Sequence, residues 1–233
     1  MLISGIQKFT MLDYPDKIAC IVFTPGCNFR CGYCHNPEFV LPEMLEKIKS
    51  SFVPEETFFN FLEKRKDFLD GVVITGGEPT IMPDLTDFIK KIKDLGFLIK
   101  LDTNGSNFAV LNRLLKSGLL DYVAMDIKTS LDKYQELVGS GVDREQIEQS
   151  VNILKKSDVP YEFRSTILKE THPDEALAGI AELVNGAEKL YLQTFRPDHV
   201  LDPGFETYHA FSALEMEEKV DFFKDYVDIV EVR

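Results

Sequence analysis

Nowhere do the 233 residues hold the run of about 20 apolar positions that a membrane span requires. The segment Met1–Thr10 lacks the basic flank and long apolar stretch of a secretory signal. The expectation is a cytoplasmic protein with no membrane partner. Internal repeats and low-complexity tracts are missing as well. Basic residues are outnumbered, 26 Lys+Arg against 39 Asp+Glu, for a net charge of −13. That balance argues against an extended nucleic-acid surface, because phosphates demand Lys and Arg. A nucleotide-sized ligand in a local basic pocket stays open. Cysteine is scarce too: Cys20, Cys27, Cys31 and Cys34 all fall in the first 34 residues. Bridges confined to one end make a poor scaffold, so disulfides are not expected. What is present is globular, with 44% hydrophobic and 28% charged residues. The length suits a single domain over 1–233, with a short strand segment at about 1–16 and a helix–strand extension at about 212–233. Such a chain can bury a full core unaided.

Three cysteines crowd into eight positions, Cys27-Asn28-Phe29-Arg30-Cys31-Gly32-Tyr33-Cys34, a C-x3-C-x2-C spacing. Clustered thiolates point to a soft metal or an iron–sulfur site. Structural zinc takes four ligands; His35 adjoins Cys34, and neighbouring side chains rarely reach one ion. Iron–sulfur clusters also use four cysteines as a rule. A cubane on three thiolates leaves one iron open for chemistry. Cys20 lies in the apolar run Ile18–Phe23 and reads as a small buried hydrophobe.

With Tyr33 as its aromatic, C-x3-C-x-(aromatic)-C resembles the signature of the radical S-adenosylmethionine (SAM) superfamily. The flanking Asp13-Tyr14-Pro15, Thr24-Pro25-Gly26 and Cys34-His35-Asn36-Pro37 are similar to proteins that activate glycyl-radical enzymes, especially the activators of anaerobic ribonucleoside-triphosphate reductase. Later motifs keep the same order, so the resemblance covers most of the chain. It implies a 4Fe-4S cluster on Cys27, Cys31 and Cys34, with SAM on the open iron. Reductive cleavage of SAM then gives methionine and a 5′-deoxyadenosyl radical, which abstracts hydrogen from a glycine of the partner. It further implies an electron donor such as flavodoxin or ferredoxin. No catalytic residue beyond cluster and SAM is required, which suits the lack of an obvious His/Asp or Ser/His pair.

Short apolar runs alternate with amphipathic stretches, as when helices cover both faces of a parallel sheet. The runs are Ile18–Phe23, Gly71–Thr75, Phe97–Asp102, Tyr122–Ile127, Tyr161–Leu168 and Leu190–Thr194, with Ile3–Phe9 and Tyr226–Val230 as added strands. Helices are expected at Pro54–Phe68, Pro83–Leu95, Asn107–Lys116, Arg144–Lys156, Pro173–Val184 and from Ser212 to about Asp225, with capping boxes at Asp143/Gln146 and Ser212/Glu215. Six such units predict an α/β fold, a partial (β/α)6 barrel, which the resemblance also implies. Parallel barrels carry their chemistry at the C-terminal ends of strands.

Those ends hold the remaining candidates. Thr75-Gly76-Gly77-Glu78-Pro79 reads by itself as a glycine turn. After the cysteine loop it resembles a family motif in which Gly76, Gly77, Glu78 and Pro79 receive the SAM amino group. Two glycines let a ligand approach backbone closely. Asp102-Thr103-Asn104-Gly105 is either an Asn-Gly turn or a binding loop. Alternation puts Asp126 and Lys128 on one face, as an inward ion pair or as ligand contacts. In the activases a similar Asp-x-Lys lies against the methionine portion of SAM, in some with a monovalent cation. Arg164 suits a carboxylate or ribose, or an ion pair. Gln193 stands where some related activases have histidine. His35 matches the activase pattern. His172, His199 and His209 read as exposed loop residues.

Two further readings compete. A radical SAM enzyme acting on a small molecule, such as a deazapurine-forming synthase, would need a closed pocket, for which Arg196–Tyr208 is the only candidate. A zinc- or cluster-binding interaction module would not need the strand-end motifs. Only about 37 residues separate Cys34 from the next core strand, which excludes a ferredoxin-like insert.

Overall fold

A computed structural model describes residues 1–233. Its eight strands form one sheet in chain order: β1 (Gly5–Thr10), β2 (Ala19–Thr24), β3 (Gly71–Gly76), β4 (Leu98–Thr103), β5 (Tyr122–Asp126), β6 (Tyr161–Ile167), β7 (Ala187–Thr194) and β8 (Val227–Val232). β1 pairs antiparallel with β2; the pairs β2–β3, β3–β4, β6–β7 and β7–β8 are parallel. Every expected strand is present within a few residues of its predicted bounds.

The chain divides into two compact units. The first holds 1–28, 38–103 and 109–123, and with them β1 to β4. β2 and β3 are nearly all buried because both faces are covered, hence their continuous apolar sequences. α1 (Pro42–Ile48), α2 (Glu55–Glu63), α3 (Leu85–Asp94) and α4 (Phe108–Lys116, all but its first residue) belong to this unit. α2 and α3 bury Phe58, Leu62, Leu85, Phe88, Ile89 and Ile92. α2 stops at Glu63, not Phe68: beyond Leu62 the chain offers charged residues with no core to face, and it turns on itself from Arg65. α1 fully buries no residue; Leu41, Met44, Leu45 and Ile48 make a short, half-buried apolar stripe along it.

The second unit holds 29–37, 104–108 and 124–233. It carries α5 (Tyr134–Val138), α6 (Arg144–Lys155), α7 (Asp174–Val184) and α8 (Ala213–Phe223). Ser212 and Glu215 close a full capping box on α8. Asp143 caps α6 on the Glu145 amide alone, so no box forms there with Gln146.

Candidate active site

In the first unit the end of β3 is locked to the chain entering the cysteine loop. Gly77 N donates to Thr24 O (2.8 Å) and Glu78 N to Gly26 O (2.8 Å). Gly76 has φ +118°, and a Cβ there would overlap the Thr24 backbone. One at Gly77 would overlap the Gly26 carbonyl and meet Phe39 O at 3.1 Å. The glycines thus admit another stretch of this chain, the one that leads into Cys27. Glu78 is buried, and its Oε1 accepts from Thr80 N (3.0 Å), Thr80 Oγ1 (2.6 Å) and Thr103 Oγ1 (2.7 Å). Asp102 pairs with the buried Lys100 at 2.6 Å. Cys20 is fully buried in β2, and desolvation pushes its thiol up to about 12.

In the second unit Cys31 is buried and Cys34 half-buried, joined by a turn in which Cys34 N donates to Cys31 O (3.0 Å). Burial pushes the Cys31 thiol up to about 11, against the pull of Lys128. Tyr33 is buried with its ring centroid 6.0 Å from Lys128 Nζ, and its hydroxyl has no partner. At the end of β5, Lys128 Nζ lies 3.0 Å from Asp126 Oδ2, and Arg164 Nε lies 2.9 Å from Asp126 Oδ1. Burial opposes the Asp126 charge, yet Arg164 and Lys128 outweigh it and hold the carboxyl down to about 2. Burial likewise opposes the Lys128 charge; Asp126 outweighs it, so the ammonium persists.

The Lys128 backbone is gripped on both sides. Its N–H donates to the Tyr134 hydroxyl (3.0 Å), and its carbonyl faces His172 Nε2 at 2.8 Å. His172 Nδ1 accepts from Leu168 N (3.3 Å), so the ring proton sits on Nε2 and points at Lys128. His172 is therefore not an exposed loop residue: it is 1% exposed, drawn inside by these bonds at the start of α7. His199 and His209 are exposed, His209 paired with Glu170. The Asn104 side chain accepts from Ser106 N (2.9 Å). Gln193 accepts from Thr166 Oγ1 (3.1 Å). It lines a cavity of about 480 Å³ with His35, Arg196, His199 and Arg233. Neither Tyr134 nor His172 was marked by a motif.

No disulfide joins any of the four cysteines. No three His, Cys, Asp or Glu side chains are already gathered on one point. The fit to a cluster rests on the donor set: three soft ligands at close spacing, one of them a buried thiol that a bound metal ion would deprotonate. The orphaned Tyr33 hydroxyl is a buried polar group still lacking a partner, which a ligand or water would supply.

The family model described as the radical SAM superfamily matches residues 21–184. This chain belongs to the radical SAM superfamily. It is a radical SAM enzyme with the superfamily's partial α/β barrel, and the family implies a 4Fe-4S cluster and SAM. A candidate glycyl-radical enzyme activating enzyme of Methanocaldococcus jannaschii is 35% identical over the whole chain and 95% of its own length. The pyruvate formate-lyase-activating enzyme of Clostridium pasteurianum is 31% identical over 60% of this chain and 58% of that protein. A probable GTP 3′,8-cyclase of Sulfurisphaera tokodaii is 27% identical over 91% of this chain and 65% of that one. Among solved structures, QueE from Escherichia coli superposes with a TM-score of 0.58 at 14% identity, covering all of this chain and 93% of its own. No helix is long and apolar enough to cross a membrane.

Proposed function

We propose that this radical SAM enzyme is an activase that installs a glycyl radical on a partner enzyme, most specifically an anaerobic ribonucleoside-triphosphate reductase. Cys27, Cys31 and Cys34 would hold the cluster. When bound, it supplies the single electron that cleaves SAM reductively. Gly76, Gly77, Glu78 and Pro79 would take the SAM amino group. Asp126, Lys128 and Arg164 carry a net charge of +1 between them and suit the SAM carboxylate. Asp102, Thr103 and Asn104 would complete the binding rim, with a monovalent cation near Asp126. Tyr33, His35 and Gln193 are the remaining SAM-side contacts. The protein's task is to hold, aim and exclude water, with a flavodoxin or ferredoxin as electron donor.

The observation that carries this reading is the near end-to-end likeness to the Methanocaldococcus protein, joined to a cysteine set that leaves over only the buried Cys20, too few for an auxiliary cluster. The test is anaerobic. The protein is reconstituted with iron and sulfide, reduced, and mixed with SAM and the anaerobic reductase of the same organism. A glycyl-radical doublet in the reductase EPR spectrum, dependent on SAM and on Cys31, is the expected result. 5′-Deoxyadenosine without the doublet moves the partner elsewhere. Neither product, from protein that carries its cluster, overturns the reading.

A second reading draws on the cavity beside Gln193. Its Arg196 and two histidines, beside Asp198 and an Arg233 already paired with Glu162, offer polar contacts to a small molecule, and a GTP cyclase stands among the relatives. Deoxyadenosine formed only when such a substrate is added would favour it.

A further inference from the structure

The cysteine loop is built together with a segment some 170 residues downstream. The turn Asp202–Tyr208 contains a short 3-10 helix, Pro203–Thr207, capped by the Asp202 side chain on Gly204 N (2.9 Å). Asp202 N donates to Gly32 O at 2.9 Å, a backbone bond between the two segments. The Phe205 ring lies against the Gly32 Cα. A Cβ at Gly32 would overlap the ring edge, with Cζ at 2.7 Å. The same ring sits 6.3 Å from the Tyr33 ring, and Tyr208 backs it at 4.4 Å. Lys128 Nζ also lies 6.0 Å from the Tyr33 ring centroid. Gly32 and Tyr33 are the two residues between Cys31 and Cys34.

We infer that Phe205, with the Asp202 backbone, is a positioning clamp for the Cys31–Cys34 turn. It fixes the direction of both thiols and the plane of Tyr33. This rests on the reading that these cysteines hold the cluster. Phe205 fills the space beside Gly32 where a side chain would otherwise stand, and the Asp202 N to Gly32 O bond fixes the backbone there. Within the turn Cys34 N donates to Cys31 O, and residue 32 has no side chain of its own to pack. Ligands whose supporting partners are removed typically lose about 10- to 100-fold in metal affinity. A single packing contact belongs at the low end, about tenfold. The clamp also explains the glycine: the position is filled by a ring from elsewhere, so any side chain displaces it.

The test has two arms. The first uses reconstituted full-length protein and reads cluster loss to a ferrous chelator under anaerobic conditions, with the EPR signal of the reduced cluster before and after SAM. Phe205→Ala is expected to speed iron release about tenfold and to broaden the SAM-dependent signal. Phe205→Leu, which refills much of the contact, is expected to restore both. Parental release and parental spectra in Phe205→Ala overturn the clamp. The second arm needs no metal: thermal unfolding of apo Gly32→Ala, Phe205→Ala and the double variant. Removing the ring is expected to rescue Gly32→Ala, so that the double variant melts above Gly32→Ala. Strict additivity overturns the contact. If the parent binds no iron while the apo coupling is present, the cluster assignment fails and the inferred clamping of cluster ligands falls with it, the contact itself standing. Iron bound without coupling sinks the clamp alone.

Discussion

Replacing Gly77 by alanine separates two reasons for a glycine pair. In the ligand view the glycines keep space for SAM, so apo protein should tolerate a methyl and lose only SAM binding. The structure assigns the space to the chain itself. At Gly77 the new Cβ would overlap the Gly26 carbonyl and crowd Phe39 O at 3.1 Å. Both obstacles are backbone, so no rotamer change relieves them, and the Glu78 N to Gly26 O bond must yield. Overpacking of this kind costs about 1–3 kcal/mol. The rigid obstacle puts Gly77→Ala near the top, about 3 kcal/mol. For a chain of this size that lowers the melting temperature by about 6–12 °C. The assay is urea and thermal unfolding of apo protein without iron or SAM. Apo stability within about 0.5 kcal/mol of the parent, the ordinary range for a harmless substitution, would refute the reasoning and return the glycines to ligand approach.

Alanine at Cys27, Cys31 or Cys34 is expected to abolish cluster-dependent SAM cleavage, whereas Cys20→Ala retains it; deoxyadenosine assays decide, and full activity in Cys31→Ala sinks the ligand set. Asp126→Asn leaves Lys128 and Arg164 without their shared counter-charge. Because the folded carboxyl is held near 2 against about 3.9 unfolded, it contributes roughly 2 kcal/mol above pH 4. That contribution is lost as pH falls toward 2, so parent and variant should converge in stability there; a constant gap from pH 7 to 2 refutes it. His172 is kept neutral, its pKa lowered by burial. Below about 6.5 the unfolded chain takes up this proton first. Parent stability should therefore rise with pH up to about 6.5, and His172→Gln should flatten the rise in pH-resolved urea titrations.

The strands were legible because buried parallel strands are written as unbroken apolar runs: Ile18–Phe23 and Tyr122–Ile127 fall within a residue or two of β2 and β5. α8 announced itself through Ser212 and Glu215. α1 did not, since its seven residues give only a short, half-buried stripe of Met44, Leu45 and Ile48. The helix expected over Pro54–Phe68 runs longer than α2 because Lys64 to Phe68 keep a helical composition after the core beneath them ends. The cysteine spacing marked the site by chemistry, and alternation put Asp126 and Lys128 on one side. What sequence could not give was contact at a distance. Tyr134, His172 and Phe205 reach Lys128 and Gly32 only through the fold. The His172-Pro173 step hinted at a helix start and not at burial.

The Asp126–Lys128–Arg164 group has a consequence for ionic strength. Its side chains are 15–25% exposed, so dissolved ions screen its surplus positive charge poorly. The outer surface, bearing most of the −13, is screened within about 10 Å at 0.1 M salt. Raising tetramethylammonium chloride, whose bulky cation is a poor fit for a monovalent-cation site near Asp126, should leave the affinity for SAM nearly level while changing the encounter rate with a charged protein partner. One salt series then tells the two binding events apart without any mutation.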